Sequence, residues 1–189
     1  MLKQYLSSTI MLTFAAENVS CFDILLRMKL SLVQKRIHKG WIWVKRFRHR
    51  KGYGVHSPFA FDFITRVIYG KTMSGDLHSA TVRRWSEDGN ESMKVRKLLI
   101  RLEKEASPFV YLNHSSNPIY INKVYEEFAD NMAPKGMMVI YGIYENPPMK
   151  DMWQKLMSDP RSGITFDLYD VGIILFDKII TKQDYIVNF

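Results

Sequence analysis

The sequence predicts an α/β fold, in which part of an open, mostly parallel sheet ends in an antiparallel hairpin and follows N-terminal helices. Short apolar segments alternate with helical patterns over residues 108–168, as is typical of parallel strands joined by helical crossovers. A short connection near Asp170 then joins two apolar segments, and so short a connection requires antiparallel strands. At 189 residues the chain is long enough to bury one core.

The net charge of +8 is concentrated near the N-terminus. Residues 24–61 contain ten Lys or Arg and no acidic residue, so the rest of the chain sums to −2. We therefore predict a basic helical N-terminal arm over 1–55 and an α/β domain over 56–189. The single cysteine, Cys21, excludes an internal disulfide and a cysteine-based zinc site. A single cysteine fits a protein of the reducing cytoplasm. If the arm binds lipid, we expect the protein to contact the inner membrane surface.

The first residues resemble a signal peptide only loosely, because polar residues interrupt the apolar stretch. We interpret them either as a start codon placed too early, with Met28 as the true start, or as an amphipathic lead-in. Apolar residues between cations predict an amphipathic helix over Ile24–Lys39, and Gly40 is expected to interrupt it.

The helices of the domain are predicted from their caps and their spacing. Ser57 as N-cap and Pro58 at the first position begin a helix, whose apolar residues Phe59, Phe63, Ile64, Val67 and Ile68 predict one buried face. Residues 71–92 lack a period and are predicted to be a flexible linker. The remaining helices are predicted over Met93–Glu105, over Ile119–Met132 and from Pro147 to Asp159.

Five apolar segments predict the strands: Phe109–Leu112, Met137–Tyr144, Ile164–Leu168, Val171–Phe176 and a last short strand, Tyr185–Phe189. The segment from Met137 is apolar throughout, as expected for a strand that helices cover on both faces.

The arm presents a basic surface that includes Lys45, Arg46, Arg48, Arg50 and Lys51, next to Trp41 and Trp43. Our first interpretation is a helix whose aromatic side packs on the domain. An anionic membrane surface or an acidic partner, bound through residues 27–51, is the second. Nucleic acid is the third, since the sequence has no nucleic-acid-binding motif.

Three stretches resemble a known family. They are the basic lead followed by Gly52-Tyr-Gly-Val-His-Ser-Pro-Phe59, the helix Met149-Lys-Asp-Met-Trp153, and the hairpin Asp167-Leu-Tyr-Asp-Val-Gly172. Together they resemble class I S-adenosylmethionine-dependent methyltransferases, and in particular a Bacteroidetes-type group with a G-x-G-[VI]-H-S-P-F element. The resemblance covers roughly residues 35–70 and 108–189. It implies a Rossmann-like sheet whose last strand turns back antiparallel.

The resemblance also implies a cofactor half that this chain lacks in sequence. In the family, a Gly-rich turn and an acidic residue on the first strands bind S-adenosylmethionine. Here the only G-x-G follows a basic run, and residues 70–108 are too few for three strands. We therefore expect a truncated methyltransferase-like domain that binds no cofactor alone and acts as an interaction module. The alternatives are an active enzyme whose S-adenosylmethionine site a partner chain completes, and a protein that binds membrane or nucleic acid through its arm.

Without that half, the strand Phe109–Leu112 is expected to form an open edge, which a second copy of the chain or another partner would cover.

No catalytic residue can be assigned from the sequence. The candidate ligand contacts are His56 and Ser57 at a helix start, Asn113 and His114 after a strand, and Tyr141 in the next strand. For His56 a structural hydrogen bond is the preferred interpretation. Metal-dependent members of the family use carboxylates after the fourth and fifth strands, and the matching positions here have none, so no metal site is expected. Asp167, Asp170 and Asp177 are interpreted as surface or turn residues.

Overall fold

The structure is a computed structural model, and it describes residues 29, 33–34, 37–38, 40–52, 54–72, 91–106, 108–113, 117–131, 136–176 and 181–189. The chain divides into two compact units, Met1–Lys45 and the remainder from Arg46 to Phe189. In the first unit, residues 29, 33, 34, 37, 38 and 40–45 are helical. Gly40, where an interruption was predicted, is itself helical. The second unit begins at Arg46, upstream of the predicted domain start at 56.

The second unit is α/β, as predicted. After a 3₁₀ turn at Phe47–Gly52, its helices are α1 (Pro58–Asp62, which continues as a π-helical stretch over Phe63–Ile68), α2 (Met93–Glu105), α3 (Pro118–Asn131) and α4 (Pro147–Ser158). Its strands are β1 (Phe109–Leu112), β2 (Gly136–Tyr141), β3 (Ile164–Asp167), β4 (Val171–Phe176) and β5 (Gln183–Ile186). The predicted order of strands and helices along the chain from residue 109 onward is confirmed.

The five strands form one mixed sheet in the order β1-β2-β4-β3-β5. β1 and β2 are parallel, and so are β3 and β5, whereas β4 is antiparallel to both β2 and β3. The predicted hairpin near Asp170 is therefore β3–β4. Because β4 inserts between β2 and β3, these two strands point the same way without pairing, and their carboxyl ends lie at the same edge of the sheet.

Helices cover both faces of the sheet. On one face, α1 and α2 contribute to a core with Met137, Val139, Phe166 and Ile173. On the other face, α3 and α4 form a second core with sheet residues such as Met138, Ile140 and Ile174. β2 and β4 are thus buried on both sides, which explains their uninterrupted apolar sequences.

The helix α1 begins at its predicted cap, where the Ser57 hydroxyl accepts a hydrogen bond from the Ala60 amide at 3.3 Å. Four of the five residues predicted for its buried face are buried, but Phe59 is exposed. Phe59 lies at the border of that face, where it stacks on Phe63, and the small Ala60 is buried instead.

Both described ends of the predicted linker 71–92 contact α2. The Thr72 hydroxyl accepts a hydrogen bond from Arg101 Nη1 at 2.6 Å, and the same guanidinium donates to the carbonyls of Val67 and Ile68 at the end of the first helix. At the other end, Ser92 is the N-cap of α2. Residues 73–90 lie outside the described residues.

Candidate functional site

Polar side chains gather near the carboxyl ends of β1 and β2, at the edge where parallel sheets bind ligands. Tyr111 in β1 donates a hydrogen bond from its hydroxyl to Glu91 Oε1 at 2.6 Å. The register pairs Leu112 with Ile140, so the next residues on the two strands, Asn113 and Tyr141, are neighbours. We name Glu91, Tyr111, Asn113 and Tyr141 the β1–β2 edge site.

Glu91 is the unusual member of this site because it is a carboxylate that is only 5% exposed. Oε1 has the tyrosine partner, but within the described structure no hydrogen bond reaches Oε2. Burial raises the pKa of Tyr111 above its usual value, and the adjacent Glu91 carboxylate adds to this effect. A buried carboxylate oxygen without a donor costs free energy, and such groups are common where a ligand or water binds.

The structure brings together only some of the candidate ligand contacts. Asn113 and Tyr141, both partly buried, meet at the β1–β2 edge, whereas His114 lies outside the described residues. Ser57 uses its hydroxyl as the α1 cap, and His56 is exposed in the loop before it. His56 and Ser57 therefore belong to a helix start and not to the β1–β2 edge site.

A second polar cluster lies at the carboxyl ends of β2 and β3 and centres on an ion pair. Arg46 Nη1 donates to Asp167 Oδ1 at 2.8 Å, and the two side chains are 14% and 2% exposed. The Tyr144 hydroxyl donates to Asp167 Oδ2 at 2.7 Å, and the Tyr169 amide donates to Oδ1 at 2.9 Å. We name Arg46, Tyr144, Asp167 and Tyr169 the Arg46 cluster.

Two aromatic rings complete the Arg46 cluster. Tyr144 and Tyr169 stack with their centroids 5.2 Å apart, and the Arg46 guanidinium carbon lies 5.7 and 5.4 Å from the two rings. Tyr169 has a φ of 75°, a left-handed conformation that costs a residue other than glycine on the order of 1 kcal/mol. The hydrogen bond from its backbone amide to Asp167 and the stacking of its ring on Tyr144 offset that cost. Burial, together with the hydrogen bond to Asp167, raises the pKa of Tyr144 to about 12.

The Arg46 cluster corrects two predictions. Arg46 is not part of a basic surface, because its guanidinium reaches a buried carboxylate. Asp167 is not a surface or turn residue, because it ends β3 and accepts from three groups. Of the other predicted surface cations, Lys45 and Arg48 are exposed, and the side chains of Arg50 and Lys51 lie outside the described residues. Asp170 is a partly buried turn residue, and Asp177 lies outside the described residues.

Two further contacts pack helices on the β3–β4 hairpin, one on each face of the sheet. A Cβ atom on Gly172 would lie 2.7 Å from the ring of Trp153, so only glycine allows this tryptophan to cover the strand. On the opposite face, Phe63 of the first helix stacks on Phe166 of β3, with centroids 4.9 Å apart.

Sequence reasoning missed Glu91 because it was assigned to the linker. The one available signal was Ser92, which can act as a cap before the Met93 helix and so ends the linker earlier. Sequence reasoning also missed the partnership of Arg46 with Asp167, because 120 residues separate them and no periodicity connects them.

Among the described residues, no group of three or more His, Cys, Asp or Glu side chains could hold a metal ion. Nor does the described part of the chain include a helix with the length and hydrophobicity needed to cross a membrane. Comparisons with protein-family models, curated proteins and solved structures returned no match for this chain.

Proposed function

We propose that this chain is a truncated, Rossmann-like relative of class I methyltransferases that binds no S-adenosylmethionine by itself and acts as an interaction module. The strongest support is that residues in the stretches of the resemblance are engaged in packing. The ion pair of Arg46 with Asp167 and the contact of Trp153 with β4 hold the β3–β4 hairpin in place, and these side chains do not face an open site. β4 is antiparallel to both of its neighbours, β2 and β3, and this supports the antiparallel strand that the family resemblance implies.

The interaction surface that we propose is the edge of the sheet at β1. β1 lies at one end of the described strand order and pairs only with β2 within it. Edge strands favour pairing with another chain. Ile119 and Tyr120, at the start of the helix that follows β1, are also exposed. A second copy of the chain is the partner that we propose for this edge.

Calorimetric titration with S-adenosylmethionine tests the function. The proposal expects no binding at submillimolar concentration, and a submillimolar Kd would contradict it. A measurable Kd that Glu91→Gln weakens would instead support an active enzyme with an incomplete site. The buried Oε2 atom of Glu91 favours this second candidate, since it is positioned to accept a hydrogen bond from a ligand.

A further inference from the structure

The first unit has large apolar side chains that are exposed on a helical segment. Val33, Ile37, Trp41 and Val44 are 52%, 67%, 59% and 57% exposed, and all four positions are helical. At 100° per residue, these positions fall within an arc of roughly 80° on one side of a helix. We name these four residues the apolar stripe. Soluble proteins rarely leave such a contiguous stripe uncovered, so it indicates a binding surface.

The sequence around the apolar stripe is strongly basic. The segment 24–61 has ten Lys or Arg and no acidic residue, and one of the ten, Arg46, is engaged by Asp167. One of these cations is positioned directly beside the stripe, because Lys45 Nζ lies 5.4 Å from the centroid of the Trp41 ring. The Lys45 ammonium group thus places its charge at the border of the apolar stripe, over the face of the Trp41 ring.

The apolar stripe and the nearby cations together favour one kind of anionic partner. Nucleic acid binds through cations and stacked aromatic rings, and it offers no surface that would bury Val33, Ile37 and Val44. A bilayer with anionic headgroups can bind both kinds of side chain, since its acyl chains bury the apolar stripe and its negative surface potential attracts the Lys and Arg residues. Tryptophan is also the side chain that favours the boundary between headgroups and acyl chains.

We propose that the helical residues described between Val33 and Lys45 form an interfacial surface that binds this protein to anionic membranes through the apolar stripe. The helix lies in the plane of the membrane and does not cross it. The apolar stripe enters the boundary between headgroups and acyl chains, and the cations remain at the headgroups. Because part of the attraction is electrostatic and exposed to solvent, binding weakens as the salt concentration rises.

The test uses the full chain and vesicles of phosphatidylcholine with or without phosphatidylglycerol, with binding measured by co-sedimentation and by the blue shift of tryptophan fluorescence. Ile37→Gln and His38→Gln form a matched pair of adjacent, exposed, helical positions, on and off the stripe. We expect Ile37→Gln to weaken binding to anionic vesicles about tenfold and His38→Gln to change it by less than about twofold, since burying a large aliphatic side chain supplies at least that difference. Neutral vesicles should bind at least about tenfold more weakly than anionic ones.

Three results would overturn the proposal. The first is an absence of binding to anionic vesicles at low salt. The second is an equal effect of the two variants, which would show that the apolar stripe does not enter the bilayer. The third is tighter binding to a short DNA duplex than to vesicles at the same salt concentration, unchanged by Ile37→Gln, which would identify a nucleic-acid-binding arm. Circular dichroism checks that both variants keep the wild-type fold.

Discussion

At the scale of single residues, the ion pair of Arg46 and Asp167 is a buried contact whose carboxylate has several partners. The carboxylate is 2% exposed and is satisfied by one guanidinium, one phenol and one backbone amide. Removing one member of a buried ion pair leaves the other charge desolvated and uncompensated, which costs more than the pair contributes. We therefore expect Arg46, in the basic lead, to stabilise the fold of the domain.

Replacing Arg46 with alanine should lower the free energy of unfolding by about 3 kcal/mol, because it leaves Asp167 buried without its cation. Arg48→Ala is the matched control, since Arg48 is an exposed cation two residues away, and it should change the free energy by less than about 0.5 kcal/mol. Urea unfolding measures both. Equal effects of the two variants would show that Arg46 is an ordinary surface cation.

Tyr144 should make stability fall at alkaline pH. Its pKa is raised from 10.0 to about 12, so the folded state holds the phenolic proton more tightly than the unfolded state does. The unfolded chain then releases this proton first, and the free energy of unfolding decreases as the pH rises from about 10 to 12. Tyr144→Phe should remove this part of the slope in unfolding curves recorded across that range. Tyr120→Phe, at an exposed position, is the control, and a slope unaffected by Tyr144→Phe would contradict the assignment.

At the scale of elements, the sequence predicted most of the sheet and its crossovers. α2, β1 and β4 have their predicted bounds, because caps, prolines and uninterrupted apolar runs mark them locally. The insertion of β4 between β2 and β3 was not predicted, since strand order depends on packing between distant segments. The continuation of the first helix as a π-helical stretch and the burial of Ala60 instead of Phe59 were not predicted either.

The contact between α4 and β4 should tolerate no side chain at Gly172. A Cβ atom there would lie 2.7 Å from the Trp153 ring, which is fully buried and cannot easily move away. We expect Gly172→Ala to lower the free energy of unfolding by about 2 kcal/mol, as overpacking does elsewhere. Gly40→Ala, where nothing lies within 4 Å of the added atom, is the control and should cause no loss.

The double variant Gly172→Ala, Trp153→Leu distinguishes a steric clash from a backbone effect. If the clash is the cause, the double variant should be less destabilised than the sum of the two single variants, because the smaller side chain leaves room for the new methyl group. Strict additivity would indicate that Gly172 is required for another reason.

At the scale of the whole molecule, the sequence predicted part of the β1–β2 edge site but not the contacts of the Arg46 cluster. Asn113 and Tyr141 could be predicted because residues at the carboxyl ends of neighbouring parallel strands meet at one edge. Glu91 could not, because its burial depends on how the segment before α2 packs against Tyr111. The partners of Arg46 could not be predicted either, because Arg46 and the 3₁₀ turn after it contact distant residues, Asp167 through the ion pair and Asn188 through its amide hydrogen bond to the His49 carbonyl.

The open edge at β1 predicts self-association. If a second copy pairs with this edge, light scattering should give a dimer mass that decreases when Ile119 and Tyr120 are replaced by lysine, whose charge opposes burial at an interface. Lys123→Gln, at an exposed position on the same helix, is the control. A strict monomer at all concentrations would contradict the dimer.

Titration of the chain with S-adenosylmethionine in a calorimeter is the most direct test of the proposal that this domain binds no cofactor alone. If Arg46, Trp153 and Asp167 serve the fold, as proposed, the titration should release no binding heat at submillimolar ligand. Saturable binding in that range, lost in Glu91→Gln and retained in Lys123→Gln, would contradict the account and identify the β1–β2 edge as a working cofactor site.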